Sequence, residues 1–507
     1  MADNVSALPV SVEAGASPRE GLVRRRARVV APARGERQLT ARERVEQLCD
    51  AGTFFEPAPL RRQRGVPYGG KLVDRDGDGV IAGVGRVDGR PVVVVSHDFT
   101  VAGGSIGSAF ADSVVGAQRL AVDIGCPIVY FNDSGGARIH EGVEALHGCG
   151  RIFAENVRAR AVVPQVSVIM GPCAGAAAYS PALTDWTVMV RGRGQMFLTG
   201  PEVVRAATGE LVDTEELGGS ALHTKESGVA HLDVADDVEA CAAVRQLLSF
   251  LPSRAGGVLP VSAAVPPRLA PDVLASLVRP SSSTPFNMRR VLGAVLDGGE
   301  ELELMPRYGP SLLTGFARLD GFPVGIVASQ PKRRGGILDS RTAVKGARFV
   351  NFCGRFGVPV LTFVDVPGFL PGTAEEKHGV ITHGASLLAA YVDARVPKLT
   401  VIVRKAYGGA YIAMGSRSLG ADFCWAWAGS ELAVMGPEAA VGLLHRREIS
   451  AAADPATKRR ELAADYRATV TPPFAAAEAG IIDDVIFPEE SRGRLISALG
   501  FLLSKEY

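Results

Sequence analysis

The segments Val163-Pro164-Gln165-Val166-Ser167-Val168-Ile169 and Val396-Pro397-Lys398-Leu399-Thr400-Val401-Ile402 carry one pattern at a spacing of 233 positions. The register continues without a gap, so Gly175-Ala176-Ala177 falls on Gly408-Gly409-Ala410. Downstream, Gly200-Pro201-Glu202 answers Gly436-Pro437-Glu438 at a spacing of 236. Upstream, Gly125-Cys126-Pro127 with Asp133 answers Gly357-Val358-Pro359 with Asp365 at 232. Four landmarks within four positions of one register mark an internal duplication. The repeat divides the 507 residues into a first unit over 37–262 and a second over 284–507, joined by residues 263–283 within a Pro/Ser-rich stretch. A chain of this length exceeds one ordinary core, which agrees with two domains.

Within each copy, β-branched runs such as Val92-Val93-Val94-Val95, Pro127-Ile128-Val129-Tyr130-Phe131 and Val401-Ile402-Val403 read as strands buried on both faces. Helical patterns over 110–124 and 383–395 separate them. The alternation predicts βαβ units, an α/β class with helices packed on a sheet.

Bulk properties bound the function. Hydrophobic residues make up 47% of the chain and the net charge is +1, so no general field draws it to nucleic acid or an anionic membrane, and any acidic ligand must be held locally. The seven cysteines are scattered and form no C-x-x-C pair, which argues against a disulfide framework and a zinc ribbon and predicts a reducing, cytoplasmic setting. No apolar run approaches the roughly 18 to 20 residues of a membrane span. Residues 1–36, with Arg24, Arg25, Arg26 and Arg28, read as a polar, flexible arm.

The chemistry lies in the loops. Cys173-Ala174-Gly175-Ala176-Ala177-Ala178 and Ala406-Tyr407-Gly408-Gly409-Ala410-Tyr411 each follow a strand and open a helix. The first amides of a helix have no intrahelical acceptor and carry the positive end of its dipole, so they can hold a developing oxyanion. Enolate chemistry on a thioester needs such a feature. Small residues there also permit close helix-to-sheet packing, and the duplication at one register favours the ligand role. Asp133-Ser134-Gly135-Gly136-Ala137-Arg138 is a second strand-to-helix turn, suited to a phosphate or thioester oxygen. Its counterpart Asp365-Val366-Pro367-Gly368-Phe369 keeps the Asp and one Gly but adds apolar bulk, so the two half-sites are expected to hold different ligands.

Other motifs carry less. Gly103-Gly104-Ser105-Ile106-Gly107 fits the hydrolase nucleophile elbow, yet no His or Asp is placed to complete a triad. Asp74-Arg75-Asp76-Gly77-Asp78-Gly79 imitates half an EF-hand loop, but its twelfth position is Gly85, so a polar turn is expected. The eight histidines show no metal-ligand spacing, and no metal is expected. There is no G-x-x-x-x-G-K-[ST] for ATP and no Met-Lys-Met segment for attaching biotin.

The strings DFTVAGGSIG (98–107), NDSGGARIHEGV (132–143), MGPCAGAAAYSPALTD (170–185), MFLTGPEVV (196–204), VDVPGFLPGTAEE (364–376), RKAYGGAYIAMGSRSLGAD (404–422) and ELAVMGPEAAV (431–441) resemble the β subunits of biotin-dependent acyl-CoA carboxylases, most closely the propionyl-CoA carboxylase type. The resemblance runs from about Leu39 to the C-terminus. It implies two tandem crotonase-like domains, a homohexamer of stacked trimers, and an active site between the N-domain of one subunit and the C-domain of another. Gly175 and Ala176 would then stabilise a thioester enolate, and Gly408, Gly409 and Ala410 would hold the biotin ureido oxygen. Ser134, Gly135, Gly136, Arg138, Ala177, Tyr407 and Ile412 would complete the substrate-binding set. The N-domain would bind acyl-CoA and the C-domain carboxybiotin, delivered by a biotinylated α subunit containing biotin carboxylase and biotin carrier. The biotin nitrogen would serve as base, which fits the missing triad. No nucleic-acid or membrane partner is implied.

The chain departs from the family pattern at named positions. Ile412 stands where many propionyl-type members have Asp, at a position implied to line the acyl pocket, so a preference for longer or broader acyl groups is expected. Ala176 replaces a usual glycine, Ser108 a Glu, His140 a Gln and Thr382 an Arg. Two other readings stay open: a decarboxylase acting on malonyl- or methylmalonyl-thioesters through the same enolate, and a non-catalytic assembly subunit. A crotonase-type hydratase lacks the paired carboxylates that water addition calls for.

Overall fold

The computed structural model describes residues 38–63, 75–278, 284–299 and 301–504. The arm expected over 1–36, residues 279–283 of the expected linker and Asp74 of the acidic turn lie outside them. The described chain forms two compact units. The first comprises the residues up to Gly219 with Val234–Cys241, and the second comprises Ser220–Asp233 and the residues from Ala242 onward.

The first sheet is built from β1 (Val80–Val87), β2 (Arg90–His97), β3 (Ile128–Ser134), β4 (Gln165–Ala174), β5 (Trp186–Val190), β6 (Gln195–Phe197) and β7 (Leu232–Val234). Their order is β1-β2-β3-β4-β5-β7, with β6 beside the far end of β4. The second sheet holds β8 (Leu302–Leu304), β9 (Leu312–Leu319), β10 (Phe322–Ser329), β11 (Val360–Val366), β12 (Lys398–Tyr407), β13 (Phe423–Trp427), β14 (Glu431–Ala433) and β15 (Asp484–Ile486). Its order is β15-β13-β12-β11-β10-β9-β8, with β14 beside the far end of β12. The two sheets repeat one design, the α/β architecture expected of crotonase-like domains in tandem.

Each design opens with a hairpin. Asp88-Gly89 and Asp320-Gly321 both take positive φ at both residues (49° and 77°, then 53° and 79°), the two-residue turn that the right-handed strand twist prefers. β1 pairs antiparallel with β2 and β9 with β10, and the central pairings beyond them are parallel. Parallel strands need crossovers, and the seventeen-residue helices Ser108–Ile124 and Ser340–Phe356 supply them. Each ends on a glycine in the left-handed region, Gly125 (φ 73°) and Gly357 (φ 70°).

The central strands are buried on both faces, which explains their unbroken apolar runs. Val92, Val93, Val94 and Val95 are all buried, as are every residue of β3 and of β11. Burying a valine or leucine side chain fully contributes roughly 1.5–3 kcal/mol. In the second unit the core runs from the helix Met288–Val295, through Leu361, Phe363, Leu399 and Val401, to Leu495 and Leu499 of the last helix. All seven cysteines are buried, and none is joined in a disulfide. Among the described residues no helix is long and apolar enough to cross a membrane.

Candidate active site

The two glycine turns hang on a fork in each sheet. β3 and β4 run in register through Asn132 opposite Ile169, then resume with Ser134 opposite Cys173, so β4 carries two extra residues at the bulge. β11 and β12 do the same between Val364 opposite Ile402 and Val366 opposite Ala406. A bulge re-aims the backbone beyond it, and in both sheets that backbone leads directly into the glycine turn.

A buried aspartate fills each fork. The Asp133 carboxylate lies against Gly171, where an added Cβ would come within 2.2 Å of Oδ1, and accepts from Arg44 at 3.3 Å. Arg44 also reaches Asp237 at 3.2 Å, and Arg193 pairs with the other oxygen of Asp237. Asp365 is held bidentately by Arg404 at 2.8 and 3.3 Å and accepts the Lys405 amide at 3.0 Å. The Arg404 guanidinium stacks over the Phe286 ring at 4.8 Å. Arg404 occupies the repeat position of Gly171, so the second copy draws its cation from the strand itself and the first from the helix Ala41–Leu48.

The Asp133 amide donates to His97 Nδ1 at 3.4 Å, and the imidazole meets Phe110 edge-on at 4.9 Å. Burial, with Arg44 nearby, lowers the His97 pKa to about 3, so the ring stays neutral and can accept.

The Ser134-Gly135-Gly136 turn is locked from behind. Ser134 is buried and its Oγ accepts the Gly136 amide at 3.2 Å, while the Gly135 amide donates to the Gly103 carbonyl at 2.9 Å. Gly136 has φ 103°, and a Cβ there would sit 2.8 Å from the Ala174 carbonyl. Gly104 packs on the Asp133 carbonyl, 2.1 Å from where its Cβ would be, and Gly336 packs likewise on Asp365 at 2.5 Å. The G-x-S-x-G resemblance at 103–107 is therefore half of a duplicated packing loop.

Arg138 is 4% exposed and its nitrogens are committed: Nη1 donates to Asp78 (2.7 Å) and Glu141 (2.9 Å), Nη2 to the Ser105 carbonyl (2.9 Å), and Nε to Ser105 Oγ (3.3 Å). Burial pushes the Asp78 carboxyl upward against the pull of Arg138. Asp78, expected on a polar turn, is instead buried under this guanidinium and also accepts the Phe110 amide at 3.0 Å. Glu141 caps the Ser108 amide at 2.6 Å, as Glu375 caps Ser340 at 3.0 Å in the second unit.

The two glycine turns match closely. Gly175 (φ 57°) precedes the helix Ala176–Leu183, and Gly408 (φ 58°) opens the helix Gly408–Ala413. The Gly175 amide is used by the Phe197 carbonyl at 3.0 Å, so the helix-starting amides of Ala176 and Ala177 are the ones that lack an intrahelical acceptor. Ala177 and Ala410 are buried, Ala176 half-buried and Gly409 exposed, with no heavy atom within 4 Å of an added Cβ at Gly409. Tyr407, just before the second turn, is buried and gives its hydroxyl hydrogen to Glu431. Ile412 is 42% exposed on the next turn of chain, and its counterpart Tyr179 lies edge-on to Phe153 at 6.0 Å.

Arg44, His97, Asp78, Glu141 and Glu431 escape a reading of the sequence because each meets at least one partner across tens of residues. The paired hairpins could have been found from the repeat, since Arg86-Val87-Asp88-Gly89-Arg90-Pro91 lies over Arg318-Leu319-Asp320-Gly321-Phe322-Pro323 at a spacing of 232. Among the described residues no group of three or more His, Cys, Asp or Glu is placed to hold a metal ion.

Comparison with known proteins agrees with this geometry. Residues 32–507 match the family model described as carboxyl transferase domain. The propionyl-CoA carboxylase carboxyltransferase subunit of Haloferax mediterranei is 48% identical, over 92% of this chain and 91% of that protein. The methylmalonyl-CoA decarboxylase subunit alpha of Veillonella parvula is 47% identical, over 92% and 91%. The crystal structure of transcarboxylase 12S, a hexamer with methylmalonyl-CoA and methylmalonic acid bound, superposes with a TM-score of 0.88 at 43% identity, covering 92% of this chain and 90% of that one. With nearly its whole length matched and both turns in place, the chain belongs to the carboxyl transferase family and is a carboxyltransferase of the acyl-CoA carboxylase type.

Proposed function

We propose that the protein transfers a carboxyl group from carboxybiotin, carried on a separate biotinylated α subunit with its own biotin carboxylase, to the α-carbon of a short- or medium-chain acyl-CoA. The pair of matched turns carries the reading. Gly175 and Gly408 both take positive φ (57° and 58°), and each leads into amides aimed off a helix start. In the first, the amides of Ala176 and Ala177, set by Gly175, stabilise the enolate oxygen that forms when the α-proton leaves; one such donor contributes about 3–4 kcal/mol to a transition state. In the second, Gly408, Gly409 and Ala410 receive the ureido oxygen, and the open space at Gly409 fits a ring brought close to the backbone. Bound there, biotin supplies the carboxyl group and a nitrogen base.

The other residues have supporting parts. Ser134, Gly135 and Gly136 present a turn for a CoA oxygen. Arg138, with every nitrogen engaged in the protein, keeps that turn in shape rather than touching the ligand. Tyr407 braces the second turn through Glu431, and Ile412 lines the acyl group. We assign acyl-CoA to residues 37–262, carboxybiotin to 284–507 and the joint to 263–283. The hexameric transcarboxylase 12S supports a homohexamer.

The test is to incubate the purified chain with malonyl-, methylmalonyl- and ethylmalonyl-CoA, with and without free biotin, and to follow the decarboxylated thioesters by mass spectrometry. Biotin-dependent loss is expected, and its rates rank the acyl groups. Loss at equal rate without biotin would sink the transfer reading. That outcome would favour decarboxylation, the second reading, which the Veillonella parvula relative supports.

A further inference from the structure

The two glycine turns match in backbone but differ in what stands behind them. In the first unit, the residue before Gly175 is Ala174, and the strand beside it begins with Gln195, whose Nε2 donates to Thr214 Oγ1 at 3.0 Å. In the second, the corresponding residues are Tyr407 and Glu431, which lie on β12 and β14 as these strands pair through Lys405 opposite Glu431 and Tyr407 opposite Ala433. The Tyr407 hydroxyl donates to the Glu431 carboxylate, which is 6% exposed, and Gly436 sits at the ring edge, where an added Cβ would lie 3.4 Å away.

A third element closes on the same carboxylate. Arg467, on the helix Pro455–Thr469, meets Glu431 at 3.4 Å and Glu438 at 3.0 Å, and Glu438 lies in the first turn of the helix Pro437–Leu444. Just past the longer helix, the Thr471 carbonyl accepts the Leu432 amide at 2.9 Å. Two strands and two helices are thus tied at one point directly behind Gly408. Burial, and then Glu431, push the Tyr407 hydroxyl well above its ordinary range, so it keeps its proton and remains a donor.

We infer that Tyr407, Glu431 and Arg467 form a latch that positions the Gly408-Gly409 turn for the biotin side alone, so that loosening it weakens biotin use without touching acyl-CoA use. The inference rests on the assignment of that turn to biotin. These are positioning residues: their polar groups bind one another, and their effect reaches the ligand through the backbone of the turn. Charge-assisted hydrogen bonds in a shielded setting are the stronger kind, and a turn that must present amides within a few tenths of an ångström is sensitive to their loss.

The experiment uses the full chain in the reverse direction, with methylmalonyl-CoA as carboxyl donor and free biotin as acceptor; the biotin N–H proton ends on the α-carbon of the product thioester. Tyr407→Phe removes one oxygen, and Arg467→Met changes a partly exposed side chain. Each is expected to raise the KM for biotin about five- to thirtyfold, with the KM for methylmalonyl-CoA held within about twofold. Arg467→Lys, which keeps the charge, is expected to recover part of the loss. An unchanged biotin KM in both variants, or an equal rise in both Michaelis constants, overturns the latch. Gly409→Val separates the two levels. Normal turnover by that variant removes the biotin assignment and the latch with it, whereas blocked turnover beside a wild-type-like Tyr407→Phe removes the latch alone.

Discussion

Two kinds of glycine serve this site, and substitution separates them. A Cβ added at Gly104 would lie 2.1 Å from the Asp133 carbonyl oxygen, so any side chain there must push the strand away. Gly409 faces open space outside the left-handed region, so the fold can accept a valine there. Gly409→Val is expected to leave the thermal midpoint within a few degrees while cutting biotin-dependent decarboxylation by about a hundredfold or more, as for loss of an oxyanion-hole contact. At Ile412 the contrast lies between substrates. Ile412→Asp is expected to shift the acyl-CoA ranking toward propionyl-CoA by about tenfold, the scale on which a pocket side chain discriminates single methylenes. An unchanged ranking in a competition assay would remove Ile412 from the pocket. The turn that holds Gly409 and Ile412 was legible from sequence because its setting is local, a strand running straight into a helix. Arg138 read as a ligand because its partner Asp78 lies sixty residues upstream, where the sequence resembles a solvated acidic turn.

At the scale of elements, the unbroken apolar runs of β2, β3 and β12 announced doubly buried strands. The forks were not legible. A bulge is a register shift between two strands, and neither strand alone records it. Nor does the sequence say that one aspartate will be neutralised by a helix far upstream and its twin by the next strand. The His97 beneath the first fork makes a measurable signature. Its pKa is lowered from 6.5 to about 3, so between those values the unfolded chain binds the extra proton. The contribution of His97 to stability is complete above pH 6.5 and is lost as pH falls toward 3, an effect on the order of a few kcal/mol. Urea midpoints collected from about pH 7 to about pH 4 are expected to fall, and to fall less in His97→Gln, which has no proton to gain. Parallel curves for the two proteins would place the acid sensitivity elsewhere.

Across the whole molecule, duplication was the most readable feature and divergence the least. Both units keep the hairpin, the crossover helix, the fork and the turn, and they differ in how each fork and turn is braced. The first fork depends on Arg44, which precedes the first strand of its sheet, so that unit needs its leading helix for electrostatic reasons as well as packing. Arg44→Met strips the Asp133 and Asp237 carboxylates of this partner at 2% exposure and is expected to destabilise by about 3–5 kcal/mol. Calorimetry measures this directly, and a shift below about 1 kcal/mol would contradict the assigned ion pair.

The buried thiols have a practical consequence. A cysteine reacts with an alkylating reagent only when its surroundings open, so in this chain the modification rate at each position is a clock for local unfolding. Cys49, Cys126, Cys149, Cys173 and Cys241 keep time for the first unit, Cys353 and Cys424 for the second. Peptide mapping after brief exposure to iodoacetamide would therefore read the opening of the two halves separately, in the native chain and without an introduced label.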